Sequence, residues 1–150
     1  MAKLKSGNSC TLNAHGGHLQ IRCDRNNALT AGFFDTVPRL HNIDGTEPKD
    51  FVKETGAGRF HDNKFEIGLP AGSHTLLVSF HYNVGAGPAL TSDDLSVSFV
   101  ALAGHLYELN ALIVGKGQWS PMIADVTQKS HPEIVSVGKK SIQDPTPPKQ

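Results

Sequence analysis

Two cysteines and two histidines lie close together near the start of the chain and could support metal chemistry. Their spacing is Cys10-x4-His15-x2-His18-x4-Cys23. Thiolates and imidazoles are the preferred ligands of zinc, so four of them in so short a segment invite a zinc site. The same spacing is also typical of a disulfide-closed hairpin with two histidines beside its turn. The choice depends on how the segment folds.

The segment predicts a β-hairpin, because a glycine pair lies midway between the two histidines. Both glycines accept the positive φ that a two-residue hairpin turn requires. Pairing outward from this turn places Cys10 opposite Cys23 on an apolar face and His15 opposite His18 on the other face. The four side chains then do not converge on one metal. We therefore favour a disulfide over free buried thiols and over zinc, and leave His15 and His18 as a weak surface metal pair.

The predicted Cys10–Cys23 bond falls on a non-hydrogen-bonded pair of the hairpin. Its Cα atoms are then about 4.5 Å apart, which lies within the range of disulfides. Closing this loop stabilises the fold by roughly 3 kcal/mol. A disulfide also favours an oxidising compartment.

Aromatic residues offer a second kind of chemistry, the stacking of a sugar. Trp119 follows a glycine break and is a candidate platform beside Tyr82 or Tyr107. A position in the core or at its rim is the more common fate of a tryptophan. Exposure of the indole would distinguish these alternatives.

No motif of a common enzyme class is present. The chain has no G-x-S-x-G, no P-loop, no dinucleotide fingerprint and no H-E-x-x-H. We therefore expect neither catalysis nor a cofactor, with an unrecognised small hydrolase as a distant alternative.

Alternating apolar residues predict the strands that must position these groups. The clearest pattern is at 64–82, where two alternating runs flank the turn Pro70-Ala71-Gly72 and predict a hairpin. The inward residues of the two runs are Phe65, Ile67 and Leu69, followed by Leu76, Val78, Phe80 and Tyr82. Further strands are predicted at 28–34, 37–44, 94–102, 106–114 and 122–127. Polar, glycine-rich loops are predicted at 45–63, where Phe51 and Val52 contact the core, and at 83–93.

Seven to eight short strands separated by turns predict an all-β fold, an antiparallel β-sandwich. At 150 residues one domain is expected, which we place at 1–127. Residues 128–150 are polar and proline-rich and predict a flexible, disordered tail.

Charge and hydropathy argue against nucleic-acid binding and against a transmembrane helix. The formal net charge is +0, which argues against binding of nucleic acid. No apolar stretch approaches the roughly 20 residues of a transmembrane helix. No signal peptide is visible, because no apolar segment follows the basic N-terminal residues.

Three motifs resemble a known group of domains. They are Ile43-Asp44-Gly45, Leu69-Pro70-Ala71-Gly72-Ser73-His74-Thr75-Leu76 and Ala103-Gly104-His105-Leu106-Tyr107. Over residues 40–127 the pattern resembles small β-sandwich domains of bacterial cell-envelope proteins and lipoproteins, similar to PEGA-type and carboxypeptidase-regulatory-like modules. The resemblance implies a non-catalytic, extracytoplasmic domain, in the periplasm or at the cell surface, with a cytoplasmic location left open.

Together these observations predict a non-enzymatic module that contacts a protein or a cell-wall component. The alternative is a ligand-binding sandwich for a carbohydrate or a metal ion, using the loops 45–63 and 83–93.

Overall fold

In the computed structural model, strands form most of the chain. The structure describes residues 1–15, 18–22, 37–61, 64–82, 90–91, 94–115, 118–128, 132–138 and 141–142. Within these residues there are one helix and twelve strands. In chain order they are β1 (Ala2–His15), β2 (His18–Arg22), β3 (Val37–Ile43), α1 (Pro48–Thr55), β4 (Gly58–His61), β5 (Lys64–Leu69), β6 (Gly72–Tyr82), β7 (Leu90–Thr91), β8 (Leu95–Ala101), β9 (Leu106–Gly115), β10 (Gln118–Asp125), β11 (Glu133–Val137) and β12 (Ser141–Ile142).

The strands form two sheets, which confirms the all-β sandwich. The larger sheet has the order β11-β10-β9-β1-β5-β4, with β2 paired to β1 and β12 paired to β10. The smaller sheet has the order β3-β6-β7, with β8 also paired to β6. One main core draws on both sheets and includes Leu4, Ile67 and Leu109 from the larger sheet with Leu76 and Val97 from the smaller. One pairing differs from the antiparallel expectation, because β1 and β9 run parallel.

The two strands around Pro70 exist as predicted, but they do not form a hairpin. β5 pairs with β1 and β4 in the larger sheet, whereas β6 pairs with β3, β7 and β8 in the smaller one. The turn therefore carries the chain from one sheet to the other, with Gly72 at a φ of +129°. Alternation and turn residues are local signals, and they are the same for a hairpin and for a connection between sheets.

The first hairpin has the predicted register. Thr11 lies opposite Arg22, and His15 lies opposite His18. Cys10, the next residue outward on β1, is 0% exposed. Its predicted partner Cys23 and the strand predicted at 28–34 lie outside the described residues.

The predicted loop 45–63 is wrong over most of its length, since it contains α1 and β4. Pro48 lies in the first turn of the helix, and Gly56 ends it with a φ of +66° and an N–H bond to Val52 O. Phe51 is buried and Val52 packs against the core, as predicted. The helix has only eight residues, too few to show a helical period in the sequence.

The C-terminal strands follow the predicted alternation. Val97 and Phe99 of β8 are buried while Ser96 and Ser98 are exposed. The segment predicted as a tail from residue 128 contains β11 and β12, which both pair with β10. Residues 143–150 lie outside the described part.

Candidate functional site

The aromatic residues predicted to stack a sugar lie in the core. Trp119 is 4% exposed and Tyr107 is 1% exposed, and both belong to the main core cluster. The Tyr107 hydroxyl accepts a hydrogen bond from the Leu102 N–H at 2.9 Å, which anchors the turn before β9. The prediction of a surface platform on these two residues is therefore wrong, since neither ring is accessible to a ligand. Tyr82 ends β6, and its side chain lies outside the described part.

The predicted metal pair is placed only by its backbone. His15 and His18 face each other across the first hairpin, and their side chains lie outside the described part. In the portion of the chain that the structure describes, no three His, Cys, Asp or Glu side chains are grouped to hold a metal ion. The metal site stays a prediction.

Cys10 belongs to a second buried cluster on the other face of the larger sheet. Its companions are Leu112, Met122 and Ala124. Their neighbours along β9 and β10, Ala111 and Ile123, face the main core instead. Cys10, one half of the predicted disulfide, therefore lies on the outer face of the larger sheet.

His74, which belongs to no catalytic motif, has a buried ring that pairs with the partly exposed carboxylate of Asp44. Nδ1 of His74 lies 2.7 Å from Oδ2 of Asp44, and Nε2 lies 2.6 Å from the carbonyl oxygen of Pro70. The other oxygen of Asp44 accepts the Thr75 N–H at 2.8 Å. A carboxylate and a carbonyl only accept, so both bonds require hydrogen on both ring nitrogens. His74 holds three chain segments together and has no ring nitrogen left for a substrate.

A second aspartate–histidine pair joins β10 to the turn before β9. Nδ1 of His105 lies 2.6 Å from Oδ2 of Asp125. The N–H and hydroxyl of Thr127 both donate to Oδ1 of the same carboxylate. Burial by itself raises the pKa of Asp125, but the hydrogen bonds from Thr127 and His105 outweigh it and the pKa lies below its ordinary value.

A row of rings connects the two pairs at one end of the sandwich. Phe51 meets His74 edge-on, His74 lies 6.3 Å from Phe99, and Phe99 lies 5.2 Å from Tyr107. Tyr107 in turn stacks on His105 at 6.2 Å. The motifs on which the resemblance rests therefore meet in space. In this structure, residues of these motifs connect the turns to one another and pack at the edge of the core.

A serine, a histidine and an aspartate also meet near β3, without the geometry of a catalytic triad. Nε2 of His41 lies 2.6 Å from Oγ of Ser79 and 3.6 Å from Oδ1 of Asp94. In a triad the carboxylate and the nucleophile bind different ring nitrogens. Ser79 is also only 1% exposed. The cluster fixes the position of His41.

A groove of about 300 Å³ lies beside this cluster, between β3 and the start of α1. Residues 39–41 form one wall, residues 47–49 form the other, and Phe60 of β4 completes the lining. His41 is the extra residue of a β-bulge, since Leu40 and Asn42 pair with successive residues of β6. A bulge turns a side chain away from its regular direction, and here it brings the histidine to the groove. Sequence reasoning placed a binding loop at 45–63 but did not find the contribution of β3.

Comparisons with protein-family models, with curated proteins and with solved structures found no match to this chain. In the described portion, none of the helical structure is long and apolar enough to cross a membrane.

Proposed function

We propose that the chain is a non-enzymatic β-sandwich module of the bacterial cell envelope, located in the periplasm or at the cell surface. It binds a partner, a protein or a cell-wall component, through the groove between β3 and α1. The observation that carries the proposal is the groove itself. Exposed Arg39, His41 and Lys49 surround a half-buried aromatic ring, Phe60, on a base of regular secondary structure. Small-molecule binding sites typically combine an apolar contact area with a few polar groups in defined positions, as this groove does.

The bonding of His74 and His41 supports a role without catalysis. His74 uses both ring nitrogens to hold Asp44 and Pro70. The hydroxyl beside His41 belongs to a buried serine. The ring nitrogens of His74 and the hydroxyl of Ser79 are thus engaged in the fold.

Site-specific photo-crosslinking in the source bacterium tests this proposal. A photoreactive residue placed at Arg39 or Lys49 should crosslink to one envelope component. Lys53 is the matched control, because it is exposed on the last turn of the same helix and is not part of the groove lining. Equal crosslinks at Lys53 and Lys49, or none at the groove positions, would contradict the proposal. Fractionation of the full chain into the cytoplasm would contradict its location.

A further inference from the structure

We infer that the groove between β3 and α1 binds a saccharide that carries a carboxylate. This inference rests on the proposed function and names the ligand class of the same site. It follows from the chemistry of the floor, the charge of the walls and the size of the groove.

The floor of the groove offers a fixed apolar surface. The ring of Phe60 stacks on Phe65, with centroids 5.9 Å apart and planes inclined by 29°. Phe65 is buried in the main core, so it fixes the orientation of Phe60 from below. Leu40 and Pro48, which are buried, extend this floor. An aromatic ring held in this way presents the large apolar contact area on which the C–H face of a sugar ring can pack.

The walls offer more donors than acceptors. Arg39, His41 and Lys49 stand against a single acid, Glu47. The Nε2 atom of His41 already has partners within the protein, Oγ of Ser79 at 2.6 Å and Oδ1 of Asp94 at 3.6 Å. Within the residues that the structure describes, no ion pair involves Arg39 or Lys49. These two cations therefore remain for a ligand, and an arginine binds a carboxylate through two parallel hydrogen bonds.

Glu47 and the size of the groove further restrict the class of ligand that can bind. A lone carboxylate among cations accepts hydrogen bonds from hydroxyl groups, which a sugar supplies and a simple anion does not. A volume of about 300 Å³ lies at the lower end of the range of small-molecule sites. The groove therefore fits one end or one unit of an acidic glycan.

Titration followed by NMR tests the inference with two probes of equal size. The first is a disaccharide that contains glucuronic acid, and the second is its uncharged methyl ester. We expect the acid to shift the amide signals of residues 39–41, 47–49 and 60, and to bind at least about tenfold more tightly than the ester, because a charge-assisted bond is lost in the ester. Arg39→Gln and Lys49→Gln should each weaken binding of the acid by about tenfold, whereas Lys53→Gln should leave it unchanged.

Several results would overturn the inference. They are equal affinity for the ester, equal weakening by Lys53→Gln, the same shifts with acetate alone, or no binding of the acid. If the disaccharide fails while crosslinks at Arg39 persist, the ligand class is wrong and the proposed function stands. If the crosslinks also fail, both are wrong.

Discussion

His74 and Asp44 form a partly buried pair in which Nδ1 and Oδ2 are 2.7 Å apart. Asp44 follows β3 and has a φ of +53°, while His74 lies in β6 with its ring 8% exposed. The second ring nitrogen bonds to Pro70, in the connection that carries the chain between the two sheets. One side chain thus joins a turn of the smaller sheet to the crossing point of the sandwich. Its removal takes the donor away from the Asp44 carboxylate and from the Pro70 carbonyl.

Replacing His74 should destabilise the protein by more than the loss of side-chain packing alone, because two hydrogen bonds are also lost. We expect His74→Ala to lower the free energy of unfolding by about 2 kcal/mol, because it removes the donor to the Pro70 carbonyl and to the partly exposed Asp44 carboxylate. Ser98→Ala is the control, since it removes only the exposed hydroxyl bond to Thr75 and should change stability by less than about 0.5 kcal/mol. Urea unfolding measures both. Equal effects of the two substitutions would contradict the structural role of His74.

Asp44→Asn should be milder than His74→Ala, at about 1 kcal/mol. The asparagine oxygen can still accept the Thr75 N–H, and its amide can donate to Nδ1 of His74. His74 then keeps hydrogen on Nε2, for Pro70, and carries none on Nδ1. ¹⁵N NMR of the imidazole should therefore show two protonated nitrogens in the wild type and one in the variant. Two protonated nitrogens in both proteins would show that Asp44 does not determine the state of the ring.

The register of the first hairpin could be predicted from the sequence to the residue. Its glycine pair defines the turn, and every position of 10–23 sorts by polarity onto one of two faces. A shift by one residue would exchange those faces, so the pattern allows only one register. The same reasoning placed the buried and exposed residues of β8.

The connection between β5 and β6, and the two aspartate–histidine pairs, could not be predicted in this way. A strand's own sequence shows which face is buried but not which sheet receives it. His74 bonds to an aspartate 30 residues away, and His105 bonds to one 20 residues away. Such partners come together only after the sheets are assembled. The one sequence signal was the resemblance, whose motifs contain Asp44, His74 and His105.

Asp125 should make stability depend on pH in the acid range. Its folded pKa lies below the ordinary value of 3.8, so the unfolded chain binds this proton more tightly than the folded chain. The carboxylate therefore contributes its full stability above pH 3.8, and the contribution is lost as the pH falls through the lower folded value.

Comparison with Asp125→Asn isolates this contribution. Below pH 3.8 the difference in unfolding free energy between the wild type and the variant should shrink, as measured by urea unfolding at several pH values. Thr127→Ala, which removes a donor to this carboxylate, should weaken the same pH dependence. A difference that stays constant through the acid range would contradict the prediction.

Gly7 lies where β1 shifts its register against β9, and it has no room for a side chain. A Cβ at this position would lie 1.9 Å from Oδ1 of Asn110 and 2.5 Å from the backbone oxygen of Leu109. We expect Gly7→Ala to lower the free energy of unfolding by about 3 kcal/mol, because strand backbone must move. Gly45→Ala is the comparison, since its Cβ would meet nothing within 4 Å and only its φ of +82° opposes the change. That variant should lose about 1 kcal/mol. A larger loss at Gly45 would contradict the steric argument.

The confirmed register of the first hairpin leads to a prediction for the cysteines. Thr11 lies opposite Arg22, and continuing the same register predicts that Cys10 lies opposite Cys23. We expect no free thiols when the oxidised protein is titrated under denaturing, non-reducing conditions, and two after reduction. Reduction should lower the free energy of unfolding by about 3 kcal/mol, because the unfolded chain regains the freedom of the open loop.

The double variant Cys10→Ala/Cys23→Ala separates the bond from the packing of its sulfur atoms. Alanine suits the fully buried site at Cys10 better than serine, whose hydroxyl would need a partner there. The variant should be about as stable as the reduced protein and should not respond to reductant. Two free thiols in the unreduced wild type would show that Cys10 and Cys23 do not form a disulfide. That result would also remove its support for an extracytoplasmic location.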